Sequence, residues 1–146
     1  MFRIKTKSDY EQQYQASITD PKKFWAEIAD NFLWFEKWNE VENCDLQKGQ
    51  IEWFKNGKTN ISYNCLDRHL ESSGDKVAII WEGNDPQEKN LKITYKELHE
   101  QTCQFANLLL AQGVKKGDRV CIYMSMVPQS IVAMLACSRI GAIHCV

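Results

Sequence analysis

Asp67-Arg68-His69 is the densest run of groups in this chain that could do chemistry. A carboxylate, a guanidinium and an imidazole side by side invite general acid–base work. Their spacing argues otherwise. Consecutive helical residues fan out by about 100° each, so the three side chains diverge. A structural salt bridge or a helix cap is the better reading. Six cysteines stand at Cys44, Cys65, Cys103, Cys121, Cys137 and Cys145, and the histidines are His69, His99 and His144. No two cysteines form a CxxC pair and the histidines are scattered, so no zinc site is indicated. Cys121 and Cys137 lie in apolar runs and read as small buried hydrophobes. No base or cationic partner for either thiol is evident, so a reactive cysteine is not indicated. Asn56-Gly57 and Lys116-Gly117-Asp118 read as turns, and no GxxxxGK[ST] phosphate loop occurs. The sequence therefore offers no catalytic, cofactor-binding or metal residue.

Composition narrows the class. The 146 residues are 44% hydrophobic and 25% charged with net charge -1, enough for a buried core and without the basic bias that nucleic acid or an anionic membrane would ask for. No apolar run reaches the roughly 20 residues of a spanning helix. The nearest, residues 131–146, is broken by Ser138, Arg139 and Gly141. Residues 1–20 are polar and contain no apolar leader. Free thiols and no leader imply a reducing compartment, the cytoplasm.

The elements that must position these residues follow from local signals. Residues 1–19, polar and rich in Gln, Lys and Tyr, are expected to wander over a surface. Asp20-Pro21 starts a helix, with Asp as N-cap and Pro in the first turn. Phe24, Ile28 and Phe32 recur at spacing four on one face of it. Trp25, Trp34, Phe35 and Trp38 add aromatics; they admit a partner groove or ligand platform, or the plainer apolar face of a helix packed on the next domain. Residues 50–54 form a short strand. Asn64 is expected to cap the helix carrying Leu66 and Leu70, which Ser72-Ser73-Gly74-Asp75 ends.

Residues 77–81 are a continuous apolar run, the pattern of a strand buried on both faces. Residues 91–94 read as another strand. Thr94-Tyr95-Lys96-Glu97 is a capping box opening a helix with Leu98, Thr102, Phe105 and Leu109 in one stripe and Gly113 at its end. Residues 119–124 make a strand, Pro128 to Ile140 a helix apolar nearly all round, and residues 142–146 a third strand. Strand, helix, strand in about 28 residues is a βαβ unit, expected to be parallel. The last strand is apolar and is followed by no turn, cap or charged tail. The chain thus reads as the front of a longer protein, with an unpaired sheet edge prone to self-association.

A family resemblance runs through the same residues. It is tightest over residues 53–70, where Asn60, Tyr63-Asn64, Leu66 and Asp67-Arg68-His69 stand. It continues through Ile80-Trp81-Glu82-Gly83, Ile93-Thr94-Tyr95 with Glu97-Leu98, Gly113 to Val120, Val132 to Cys137 and Arg139 to His144. These segments resemble AMP-forming acetyl-CoA synthetases; GxxxGDRV and AxxRIGA also resemble the wider adenylate-forming superfamily. Asn56, Ser125 and Cys145 depart from the glycine, proline and serine usual in the family. The resemblance implies an α/β fold: a helical and extended N-terminal region over residues 1–62, then the first strands and helices of the large domain over 63–146, incomplete. It also implies the activity of a full-length relative. Acetate attacks the α-phosphate of ATP with Mg, giving acetyl-adenylate and pyrophosphate, and the CoA thiol then displaces AMP. The family's phosphate loop and late catalytic lysine have no counterpart in these residues. The chain alone is therefore expected to be inactive, to bind ATP, Mg and CoA weakly or not at all, and to act as scaffold. A propionyl-CoA synthetase and a stand-alone interaction module are the alternatives.

Overall fold

Thr6 and Asp9 start the first helix of the computed structural model, which describes residues 4–85 and 87–146. The Thr6 hydroxyl accepts from the Asp9 amide, and the Asp9 carboxylate accepts from the Thr6 amide. Of the residues 1–19 expected to wander, 1–3 lie outside the described residues, and from Thr6 on this capping box overrides the expectation, because two of the unpaired amides at the helix start are satisfied locally. Helix α1 (Lys7–Thr19) buries no residue, so capping and helix-forming residues hold it rather than packing. The chain divides into two compact units, Met1–Thr59 and Asn60–Val146.

In the first unit Asp20 caps α2 (Pro21–Ala29) by accepting from the Lys23 amide. Phe24 and Ile28 are half-buried on that helix, but Phe32 lies past its end and is 52% exposed. An antiparallel hairpin follows. Its strands are β1 (Glu40–Asp45), which no sequence signal had marked, and β2 (Gln50–Lys55), registered from Glu40 opposite Lys55 to Asp45 opposite Gln50. Asp45 shapes the turn by accepting from the Gln47 and Lys48 amides. Rings fill the unit. Trp34 and Trp38 lie 4.8 Å apart, and each meets Phe54, at 5.4 and 5.2 Å. The Trp34 indole N–H donates to the Ala29 carbonyl at 2.9 Å. Gly57 is required here: a Cβ would stand 2.6 Å from Cζ3 of Trp34.

In the second unit Asn60, not Asn64, caps α3 (Ile61–Cys65). The Asn60 side chain accepts from the Tyr63 amide, while Asn64 lies inside the helix and donates to the Asn60 carbonyl. A single 3₁₀ turn (Asp67–His69) and the short α4 (Leu70–Ser73) continue the path. β3 (Val77–Trp81) pairs antiparallel with β4 (Leu91–Thr94). β3 is not buried on both faces: Val77 is 45% and Ile80 73% exposed, because the ladder has two strands and one covered side.

Thr94 and Glu97 form the capping box of α5 (Tyr95–Ala111), and Gly113 follows with φ +88°. β5 is shorter than its apolar run, Arg119–Cys121, and Cys121 on it is exposed rather than buried. α6 (Pro128–Ile140) buries Val132, Ala133, Ala136 and Cys137 and leaves Ile131 37% exposed, so it is covered on one side only. Gly141 ends it at φ +75°, and β6 (Ile143–Cys145) runs parallel to β5. The α/β order holds, with three two-stranded ladders among the described residues, of which one is parallel. Leu66, Ile93, Leu98 and Val132 form the core, with Ile79, Phe105 and Leu135 against it. Each such burial is worth about 1.5–3 kcal/mol.

Candidate functional site

The best-organised polar cluster is built on Asp67. Leu66, 1% exposed, anchors the turn that presents it. Arg139, in the last turn of α6, donates from both terminal nitrogens to the two Asp67 oxygens at 2.7 and 2.8 Å. His99, on α5, brings Nε2 to 3.3 Å from Asp67 Oδ1. One turn further along α5, Cys103 Sγ lies 3.5 Å from the same Nε2. Burial pushes the Asp67 carboxyl up. The hydrogen bonds and charge of Arg139, with His99, outweigh that and hold it below the usual carboxylate range. Arg139 is shifted up in turn, first by its hydrogen bond to Asp67.

This geometry does not make a nucleophile–base–acid relay. A relay needs the two nitrogens of the imidazole to face different partners, the thiol on one and the carboxylate on the other. Here both contacts converge on Nε2. The two carboxylate oxygens are also committed to a bidentate guanidinium, the strongest ion-pair geometry available to side chains. The cluster ties the turn after α3 to α5 and α6.

Its two sequence neighbours go elsewhere, as the angular spacing required. Arg68 donates to Asn64 Oδ1 at 3.0 Å, and the His69 ring lies 5.7 Å from that of Tyr95. No sequence signal marks Arg139 and His99 as partners of Asp67. Cys103 is the partner of His99, and the one available signal for that pair is their spacing of four on a helix.

Apart from this cluster there are the two glycine turns and several clefts. Gly57 donates its amide to the Phe54 carbonyl, and Gly117 donates to Gly141, both at 2.9 Å. Both amides are thus already engaged, and neither turn is a cradle for phosphate. Among the described residues no group of three or more His, Cys, Asp or Glu is placed to hold a metal. A cleft of about 690 Å³ lies between residues 70–76 and Lys96, His99 and Glu100. Its lining includes Glu71, Asp75, Lys76 and Lys96. No described helix is long and apolar enough to cross a membrane.

Comparison with known proteins places these observations. Residues 66–146 match the family described as AMP-binding enzyme, and residues 10–65 match the acetyl-coenzyme A synthetase N-terminus. The chain is 58% identical over 140 residues to an acetyl-coenzyme A synthetase of Alkalilimnicola ehrlichii, covering 95% of this chain and 22% of that protein. It is 59% identical over 136 residues to that of Magnetococcus marinus, covering 92% of this chain and 21% of the relative. The chain thus spans about a fifth of the length of the curated relatives it matches. Among solved structures, an acetoacetyl-CoA synthetase from Streptomyces lividans superposes with a TM-score of 0.81 at 26% identity, over 90% of this chain and 20% of that one. This chain belongs to the AMP-binding enzyme family, and ahead of that segment it matches the acetyl-coenzyme A synthetase N-terminus.

Proposed function

We propose that this chain supplies the scaffold of an AMP-forming acetate–CoA ligase and none of its reacting groups. Residues 1–62 make the lead-in region, and residues 63–146 open the AMP-binding domain. The whole protein joins acetate to CoA at the expense of ATP, releasing AMP and pyrophosphate through acetyl-adenylate, in the cytoplasm. One observation carries the reading: an acetyl-coenzyme A synthetase N-terminus over residues 10–65 runs directly into an AMP-binding segment over residues 66–146. We assign no catalytic, cofactor-binding or metal residue to this chain, so no reaction step is routed through these residues. Alone, the chain self-associates through the apolar residues at β6, where Ile143 and Val146 are 57% and 77% exposed.

A chimera tests the assignment. This chain replaces the matching segment of the Alkalilimnicola ehrlichii relative, and acetate-dependent AMP release is measured beside that of the chain alone. An active chimera and a silent chain are expected. A folded but inactive chimera, or AMP release by the pure chain, overturns the proposal. Light scattering across a dilution series tests self-association, and a monomer at every concentration refutes it.

A further inference from the structure

β5 and β6 place two thiols in register. Cys121 is the direct partner of Cys145 in the parallel ladder, and both residues are exposed. Adjacent strands lie about 4.8 Å apart, and residues opposite one another project from the same face. That separation falls within the roughly 4.4–6.8 Å that a disulfide spans between Cα atoms. The thiols also interact. The Cys121 thiol is held above its ordinary value, first by its hydrogen bond to Cys145, then by the charge of that neighbour, then by burial. Of the other cysteines, Cys137 is buried, Cys103 faces His99, and Cys44 faces the Glu52 carbonyl.

We propose that Cys121 and Cys145 form a dithiol site that low-molecular-weight disulfides oxidise to a cross-strand bond. The thiolate of one cysteine attacks a sulfur of the small disulfide RSSR and forms a mixed disulfide, expelling RS⁻. The thiolate of the second attacks the protein sulfur of that mixed disulfide and expels the other RS⁻. The two protons of the cysteines end on the two RSH molecules, and the two electrons reduce RSSR. The strand register holds the second thiol beside the first, so ring closure outruns accumulation of the mixed adduct. The site is independent of the ligase reading, since it rests on the ladder of this chain alone.

The test is oxidation of the dilute chain with oxidised glutathione, followed by non-reducing mass spectrometry. Trypsin separates residues 120–139, carrying Cys121 and Cys137, from residues 140–146, carrying Cys145. A chain lighter by two hydrogens, with these two peptides linked, is the expected result. The link persists in Cys137→Ser. It is lost in Cys121→Ser and in Cys145→Ser, where the glutathione adduct accumulates on the remaining thiol. Adducts on both thiols of the unmodified chain without a link overturn the proposal. So does a link that joins two chains, or one that Cys137→Ser abolishes.

Discussion

Between residues 4 and 59 the side chains that meet are mainly rings; between 60 and 146 they are mainly aliphatic chains, around a shielded Asp67–Arg139 ion pair. Ala29 is the one fully buried apolar side chain among the described residues of the first unit. Cohesion there comes from Trp34, Trp38 and Phe54, edge to face or tilted, closed by an indole hydrogen bond. Its ion pairs, such as Lys58 with Glu36, are exposed and worth about 0–1 kcal/mol each. The second unit instead buries Leu66, Ile93, Leu98 and Val132 and shields Asp67 with Arg139. A segment short of aliphatic residues can still gain area from large rings, but each ring then carries a larger share. Damage should be concentrated in the first unit and distributed in the second.

The sharpest way to break this contrast is Trp34→Ala. Truncating a ring at the centre of such a cluster costs about 3–5 kcal/mol. Amide exchange should speed up first across residues 4–59. Protection that stays at the native level there would mean the rings are decoration.

Next comes Asp67→Asn, which leaves Arg139 half-buried beside a neutral amide, at a cost of about 2–3 kcal/mol, below the range for fully buried pairs. The pH dependence has a definite sign. Because Asp67 is held below its ordinary value in the fold, its contribution is fully present above the unfolded value of about 3.9 and is lost as pH falls through the folded value. Urea melts of wild type and Asp67→Asn should therefore converge as the solution is acidified through that window. A constant gap would remove the ion pair from the account.

Thr94→Ala tests a smaller term. The hydroxyl accepts from the Glu97 amide at 3.2 Å, and its loss costs about 1 kcal/mol, while Thr94→Ser should stay near wild type in thermal melts. If Ala melts with wild type, the box contributes nothing. The smallest effect belongs to Asn56→Gly. Asn56 has φ +61°, a left-handed conformation that glycine adopts freely and asparagine tolerates. The change should be stabilising or neutral, within about 0.5–1 kcal/mol. Clear destabilisation would show that the Asn56 side chain, not the turn, matters.

What could be read from the sequence divides along the same physical line. Asp20-Pro21, Thr94 with Glu97, Pro128 and Gly141 act over three or four residues, and each marks its helix boundary where the structure has it. The capping box of Thr6 and Asp9 was equally local, but the polar composition around it drew attention away. β1 escaped because its pattern means little until β2 is laid beside it. The burial of Cys121 was misjudged because an apolar run says nothing about how many strands will flank it. The Asp67 cluster joins residues 72 apart, and no spacing rule spans that distance. The family resemblance reached the right relatives through motifs such as Asp67-Arg68-His69 and Arg139-Ile140-Gly141, without disclosing that the first and last of these motifs grip one another.

Asn60 gives that grip a direction in time. Its side chain caps α3 through Oδ1, and its Nδ2 donates to the carbonyls of Ser138 and Arg139 at 2.9 and 3.2 Å. One amide thus finishes the start of one helix and the end of another, 78 residues later. A ribosome makes the two halves of this clasp seconds apart, at roughly 5–20 residues per second. The hairpin of the first unit closes over neighbours and can fold while synthesis continues. The clasp cannot, so α3 and the Asp67 turn wait with their polar groups in water until α6 has emerged. The start of α3 and the Asp67 turn thus depend for their partners on residues that are synthesised last.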